Sequence, residues 1–84
     1  MKKIRVVVAD DHTIVRKGLC AILEGETEIE VVGEAEDGRE AIKKVEQLQP
    51  DVVLLDITMP ILNGLEATRQ LRKRYAKLKI LILT

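Results

Sequence analysis

Val52-Val53-Leu54-Leu55-Asp56 runs between Pro50 and Pro60, and this stretch limits the fold of the 84-residue chain more tightly than any other. Four apolar residues follow one another without a polar break and end on a carboxylate. A run so short and so rich in Val and Leu fits a strand buried on both faces, as in a parallel sheet. Hydrophobic spacing alone leaves a buried helix segment open; the flanking prolines hold the run to strand length. Asp56 then falls at the carboxyl end of a central strand, the edge at which open parallel α/β sheets bind ligands. Asp is depleted in strands and seldom buried alone, so a partner for it is expected.

The rest of the chain alternates around this strand. Ile4-Arg5-Val6-Val7-Val8-Ala9 reads as a β-branched strand ending on Asp10-Asp11. A helix is predicted from His12 to about Leu23, with Ile14, Val15, Leu19 and Ile22 on one face and Asp11 or Thr13 as its cap. Ile29 to Ala35 is a second strand, in which Gly33 marks a bulge or the close approach of a neighbour. After the turn Glu36-Asp37-Gly38, Arg39 to Leu48 forms a helix with Ala41, Ile42, Val45 and Leu48 inward, ended by Gln49-Pro50. Met59 to Asn63 is a loop. Asn63 caps a helix from about Gly64 to Arg74, with Leu65, Thr68, Leu71 and Tyr75 at helical spacing, and Lys79 to Thr84 is the last strand. The order β-α-β-α-β-α-β predicts one α/β domain over residues 1–84, a parallel sheet with right-handed crossovers.

Composition narrows the function. Phe and Trp are absent and Tyr75 is the only aromatic, so the core is aliphatic and stacking of nucleic-acid bases is not expected. Net charge is zero, against a dominant nucleic-acid footprint. Arg69, Arg72, Lys73, Arg74, Lys77 and Lys79 read as the solvated end of a helix, where cations suit the dipole. Cys20 is the single cysteine; it reads as a small core residue and fits a reducing compartment. With no signal peptide and no apolar run near the roughly 20 residues that cross a bilayer, the cytoplasm is expected and a membrane partner is not.

In a sheet of this kind the first and third strands are neighbours at the centre, so Asp10, Asp11 and Asp56 meet at one rim. Two carboxylates about 5 Å apart repel by roughly 3 kcal/mol at an effective dielectric near 20, and such a cluster requires a cation or a shared proton. Few, hard oxygen ligands at a phosphate-accessible rim suit Mg²⁺. A carboxylate beside such an ion can attack phosphorus and form an aspartyl phosphate. Taken singly, Asp10 and Asp11 are adequate helix caps, Asp56 an adequate turn residue, and His12 a surface residue at a helix start with no metal-spaced partner. It is the convergence of both acidic sites on neighbouring strand ends that points to chemistry.

Asp10-Asp11, Asp56 followed by Met59-Pro60 and Asn63-Gly64, and Thr84 closing the fourth strand resemble the receiver domain of two-component response regulators, over residues 4 to 84. Asp11-His12-Thr13, Arg16, Gly18-Leu19 and Val31-Val32-Gly33-Glu34-Ala35 resemble the subfamily with a LuxR/NarL-type helix-turn-helix output domain. The resemblance implies a flavodoxin-like, doubly wound sheet of strand order 2-1-3-4. It implies Asp56 as acceptor of a phosphoryl group from a sensor histidine kinase, and Mg²⁺ held by Asp10, Asp11, Asp56 and the backbone carbonyl of Thr58. It makes Thr84 a switch hydroxyl. Such a module is a signalling protein rather than an enzyme, with at most weak self-phosphorylation and self-dephosphorylation. It would reach DNA only through an output domain that is not in these residues.

The family continues with a helix, a fifth strand bearing a Lys and an aromatic, and a final helix. Lys77 and Lys79 stand at the start of the fourth strand, the wrong end to replace that Lys. A receiver truncated after its fourth strand is therefore expected. Ile80 to Leu83 would be partly bare, with an open edge that invites a homodimer or larger self-association. The competing reading is an inert, self-associating fragment of this fold. A phosphohydrolase of the haloacid dehalogenase type expects Asp-x-Asp where this chain has Asp10-Asp11-His12-Thr13. A flavin site would place phosphate against two Asp residues, and no Walker-type Gly-Lys loop is present.

Overall fold

The computed structural model describes residues 2–59 and 61–83. The elements are β1 (Ile4–Ala9), α1 (Thr13–Glu24), β2 (Ile29–Ala35), α2 (Gly38–Leu48), β3 (Val52–Asp56), α3 (Gly64–Arg74) and β4 (Lys79–Leu83). All strand pairs are parallel and the order is β2-β1-β3-β4, the doubly wound arrangement expected. Thr84 and Pro60 lie outside the described residues.

Alternation along the strands feeds two cores. Val7, Ala9, Val53 and Leu55 face α2 and α3 and meet Ala41, Val45, Ala67 and Leu71. Val6, Val8 and Leu54 face α1 and meet Cys20. Both are aliphatic. Removing one such Val or Leu from water contributes about 1.5–3 kcal/mol. The Cys20 thiol is buried, and that burial raises its pKa, as befits a small core residue.

Local chemistry sets the helix ends. Asp37 Oδ1 accepts from the Glu40 amide at 2.8 Å, while Glu40 Oε1 accepts from the Glu36 amide at 2.9 Å, a variant of the capping box. Asn63 Oδ1 accepts from the Glu66 amide at 2.9 Å and caps α3. Gln49, at φ 49°, turns the chain out of α2 ahead of Pro50. The cationic end of α3 is solvated as expected, with Arg74 3.2 Å from Glu46 and Arg72 donating to the Leu78 carbonyl at 3.3 Å.

Two expectations for α1 fail. Its cap position is held by His12, with no side-chain cap bond, so neither Asp11 nor Thr13 caps it. Its inward face is not Ile14, Val15, Leu19 and Ile22: Ile14, Val15 and Ile22 are exposed, and Arg16 and Cys20 are buried. The cause is Arg16. Its guanidinium finds acceptors on the sheet, so the helix turns a charged residue inward and carries three apolar ones outward. Leu65 of α3 is likewise exposed, the inward face there being Gly64, Ala67 and Leu71.

Both readings of Gly33 hold. The β1–β2 register slips between Val6, paired with Val31, and Val7, paired with Gly33, which leaves Val32 as the extra residue. A side-chain carbon on Gly33 would also stand 2.8 Å from Leu48 Cδ1. On the opposite edge, β4 pairs with β3 alone among the described residues, and Leu81 is 55% exposed.

Candidate functional site

Ala9 pairs with Leu55, so the residues that follow them, Asp10 and Asp56, emerge side by side at the carboxyl end of the sheet. Both carboxylates are buried and Asp11 is exposed beside them. One ligand atom from each of Asp10, Asp11, His12 and Asp56 lies within 4.8 Å of all the others. The predicted juxtaposition of three carboxylates is present.

His12 was not expected there. Its Nδ1 is 2.9 Å from Asp10 Oδ1, 3.1 Å from Asp11 Oδ1 and 3.6 Å from Asp56 Oδ2. The hydrogen bond to Asp10, then the charge of Asp11, raise its pKa above the ordinary 6.5. The ring remains solvent-exposed and stands at the helix start as anticipated, but it has partners, contrary to the reading from spacing. The signal was in the sequence: a histidine directly after two aspartates that end a strand.

Around Asp56 the loop supplies donors. Thr58 N donates to Asp56 Oδ1 at 3.1 Å, and the Thr58 hydroxyl reaches both carboxylate oxygens, at 3.1 and 3.3 Å. These bonds orient the carboxylate without burying an unsatisfied group. Glycine makes room behind it. A side-chain carbon on Gly64 would sit 2.6 Å from the Asp56 carbonyl oxygen, and one on Gly38 would collide with the Leu62 carbonyl. The loop between β3 and α3 is thus pressed between Asp56 and the start of α2.

The donor set was tested against a divalent ion. Three convergent carboxylates, two of them buried, supply hard oxygens of the number Mg²⁺ takes from a protein while keeping its waters. The residues fit that ion better than a sulfur- or imidazole-preferring one.

The chain belongs to the response regulator receiver domain family, whose model matches residues 6–84. It is 50% identical over 82 residues to the transcriptional regulatory protein DegU of Brevibacillus brevis, covering 98% of this chain and 35% of that one. To the transcriptional regulatory protein LiaR of Bacillus subtilis it is 47% identical over 81 residues, covering 96% and 38%. Among solved structures it resembles the response regulator domain of Thermotoga maritima CheB (TM-score 0.91, 41% identity, 96% of this chain and 60% of that). It also resembles the signal receiver domain of the NarL regulator of Mycobacterium tuberculosis (TM-score 0.87, 36% identity, 98% and 64%). The chain therefore spans 35–38% of the length of these two transcriptional regulators, and its likeness to LuxR/NarL-type regulators concerns the receiver part. No helix among the described residues is long and apolar enough to cross a membrane.

Proposed function

We propose that this chain is a phosphoacceptor signalling module in which Asp56 takes a phosphoryl group from a phosphohistidine of a sensor histidine kinase. Asp10, Asp11, Asp56 and the Thr58 carbonyl would hold Mg²⁺. The observation that carries this is the convergence of three carboxylates at the ends of β1 and β3. A carboxylate oxygen of Asp56 forms the bond to phosphorus as the bond from phosphorus to the donor nitrogen breaks and its electron pair leaves with the imidazole. Bound Mg²⁺ offsets the negative charge of the acceptor and the incoming phosphoryl group. Thr58 holds the Asp56 carboxylate in one orientation, and the buried setting of Asp10 and Asp56 keeps water from screening their charges. Thr84 would serve as the switch hydroxyl. In a longer protein the acceptor would regulate a DNA-binding output domain, in the cytoplasm; the relatives named as transcriptional regulators support that reading.

Intact-mass spectrometry after incubation with Mg²⁺ and acetyl phosphate tests this, with Asp56→Asn as control. A phosphoryl mass gain in the parent chain that the variant lacks is expected. No gain in a folded chain overturns the reading.

A second reading rests on the β4 edge, where Leu81 is exposed beside unpaired main chain. The 84-residue polypeptide by itself would self-associate through this edge, as a homodimer or larger, and be inert toward phosphodonors. A monodisperse monomer in light scattering at high concentration would sink the association, and the mass gain above would sink the inertness.

A further inference from the structure

Among the described residues Arg16 is the only buried basic side chain, and its guanidinium is fully engaged. Nε donates to Glu34 Oε1 at 2.9 Å, one terminal nitrogen donates to the backbone carbonyl of Asp10 at 2.8 Å, and the other lies 3.6 Å from Glu36 Oε1. Lys17 Nζ shares Glu34, at 3.0 and 3.1 Å.

We propose that Arg16 is a positioning residue for the acidic site: through the Asp10 carbonyl it fixes the turn that aims the Asp10 carboxylate at Asp56. The proposal rests on the reading of Asp10, Asp11 and Asp56 as a Mg²⁺ site and adds to it a residue outside the ligand set.

Three bonds determine where Asp10 points. Its amide donates to the Ala35 carbonyl at 3.0 Å, its carboxylate accepts from the His12 amide at 2.8 Å, and its carbonyl accepts from Arg16. The first ties it to β2 and the second to the start of α1. The third closes the frame, because Arg16 is itself anchored on β2 through Glu34. Stability alone is a weak account of such a charge. Buried ion pairs replaced by apolar groups of like volume are often neutral or better, and α1 had apolar residues to spare for the inward face. The planar fork explains the choice: one rigid group reaches Glu34 and the Asp10 carbonyl together, which a single ammonium cannot do.

The test is a Mg²⁺ titration of the ¹⁵N-labelled chain followed by NMR, run beside the acetyl phosphate mass assay, for the parent, Arg16→Met and Arg16→Lys. Arg16→Met is expected to remain folded and to bind Mg²⁺ about 10–100-fold more weakly, the range for loss of a group that orients a ligand. Phosphorylation would be slowed at low Mg²⁺ and largely restored at saturating Mg²⁺. Arg16→Lys is expected to recover part of the affinity. Variants that lose stability but bind Mg²⁺ as the parent does would make Arg16 merely structural and overturn the proposal. Should neither variant fold, Glu34→Ala removes the anchor and leaves Arg16 in place. A severalfold weaker Mg²⁺ affinity supports the proposal, and parental affinity overturns it. A parent chain that neither binds Mg²⁺ nor gains a phosphoryl group would instead overturn the proposed function, and this inference with it.

Discussion

Gly64 lies against the main chain of Asp56, so closely that a side-chain carbon on it would stand 2.6 Å from the Asp56 carbonyl oxygen and 2.9 Å from the Ile57 Cα. The first residue of α3 is therefore fitted to the backbone of the candidate acceptor. Gly64→Ala must push strand and helix apart. It should cost about 1–3 kcal/mol, the range for overpacking, and slow phosphoryl transfer to the displaced Asp56. Urea unfolding beside the mass assay checks both, and a midpoint equal to that of the parent would contradict the first.

Magnesium should stabilise the fold through the acidic rim. An ion that binds only the folded chain adds about 2.7 kcal/mol at 100 times its dissociation constant. Thermal unfolding with and without Mg²⁺ should show a rise in Tm that Asp10→Asn and Asp56→Asn each abolish. A rise that survives both substitutions would place the ion elsewhere.

His12 gives the rim a pH signature. Its pKa is raised by the bond to Asp10 and by Asp11, so the folded chain holds this proton more tightly than the unfolded one. The stabilisation is complete below the ordinary 6.5 and fades as pH rises through the raised folded value. His12 is the only histidine, so its Cε1–H resonance can be followed without assignment. Titration above 6.5 is expected without divalent ions, moving lower as Mg²⁺ takes the same carboxylates. An unchanged midpoint on adding Mg²⁺ would separate the ring from the metal site.

Glu34 titrates in the opposite sense. Hydrogen bonds from Lys17, then Arg16, lower its pKa against the burial that raises it. Its contribution is present above the ordinary 4.5 and is lost as pH falls through the lowered folded value. Glu34→Gln should flatten the acid limb of the stability profile; an unaltered limb would mean that other carboxylates carry it.

The cap of α2 offers a control remote from the rim. Asp37→Ala removes the acceptor for the Glu40 amide and should cost about 0.5–2 kcal/mol. Mg²⁺ affinity should stay at the parental value, so any large loss there would argue that α2 and the site are coupled.

What the sequence revealed and what it hid follow one physical division. Strands announce themselves through unbroken β-branched and aliphatic runs, and β1, β2 and β3 begin and end where those runs do. The acidic rim was legible because Asp10 and Asp56 end runs that a parallel sheet must set side by side. The inward face of α1 was not, since periodicity counts apolar side chains and is blind to a charge whose partners arrive from β2, eighteen residues further on. His12 was misjudged for a related reason: its partner Asp56 is distant in sequence and close only after the sheet forms. Gly64 and Gly38 were read as turn or helix-start residues, and their tight fit to opposing main chain has no signature in a single sequence.

The extra residue in β2 changes what that strand can say to the two sides of the sheet. Ile29 and Val31 look toward α1, whereas Val32 joins the opposite core and a side-chain carbon on Gly33 would meet Leu48 and Val7 there. Two successive residues thus share one face, and the inside–outside parity of the strand inverts between its halves. Glu34 inherits the α1 side through that inversion, where Arg16 and Lys17 meet it. Deleting Val32 would restore strict alternation, turn the carboxylate toward the aliphatic core and present Gly33 to the guanidinium. A one-residue phase slip, rather than any residue of the rim itself, is what lets the edge of the sheet answer the cation of the first helix.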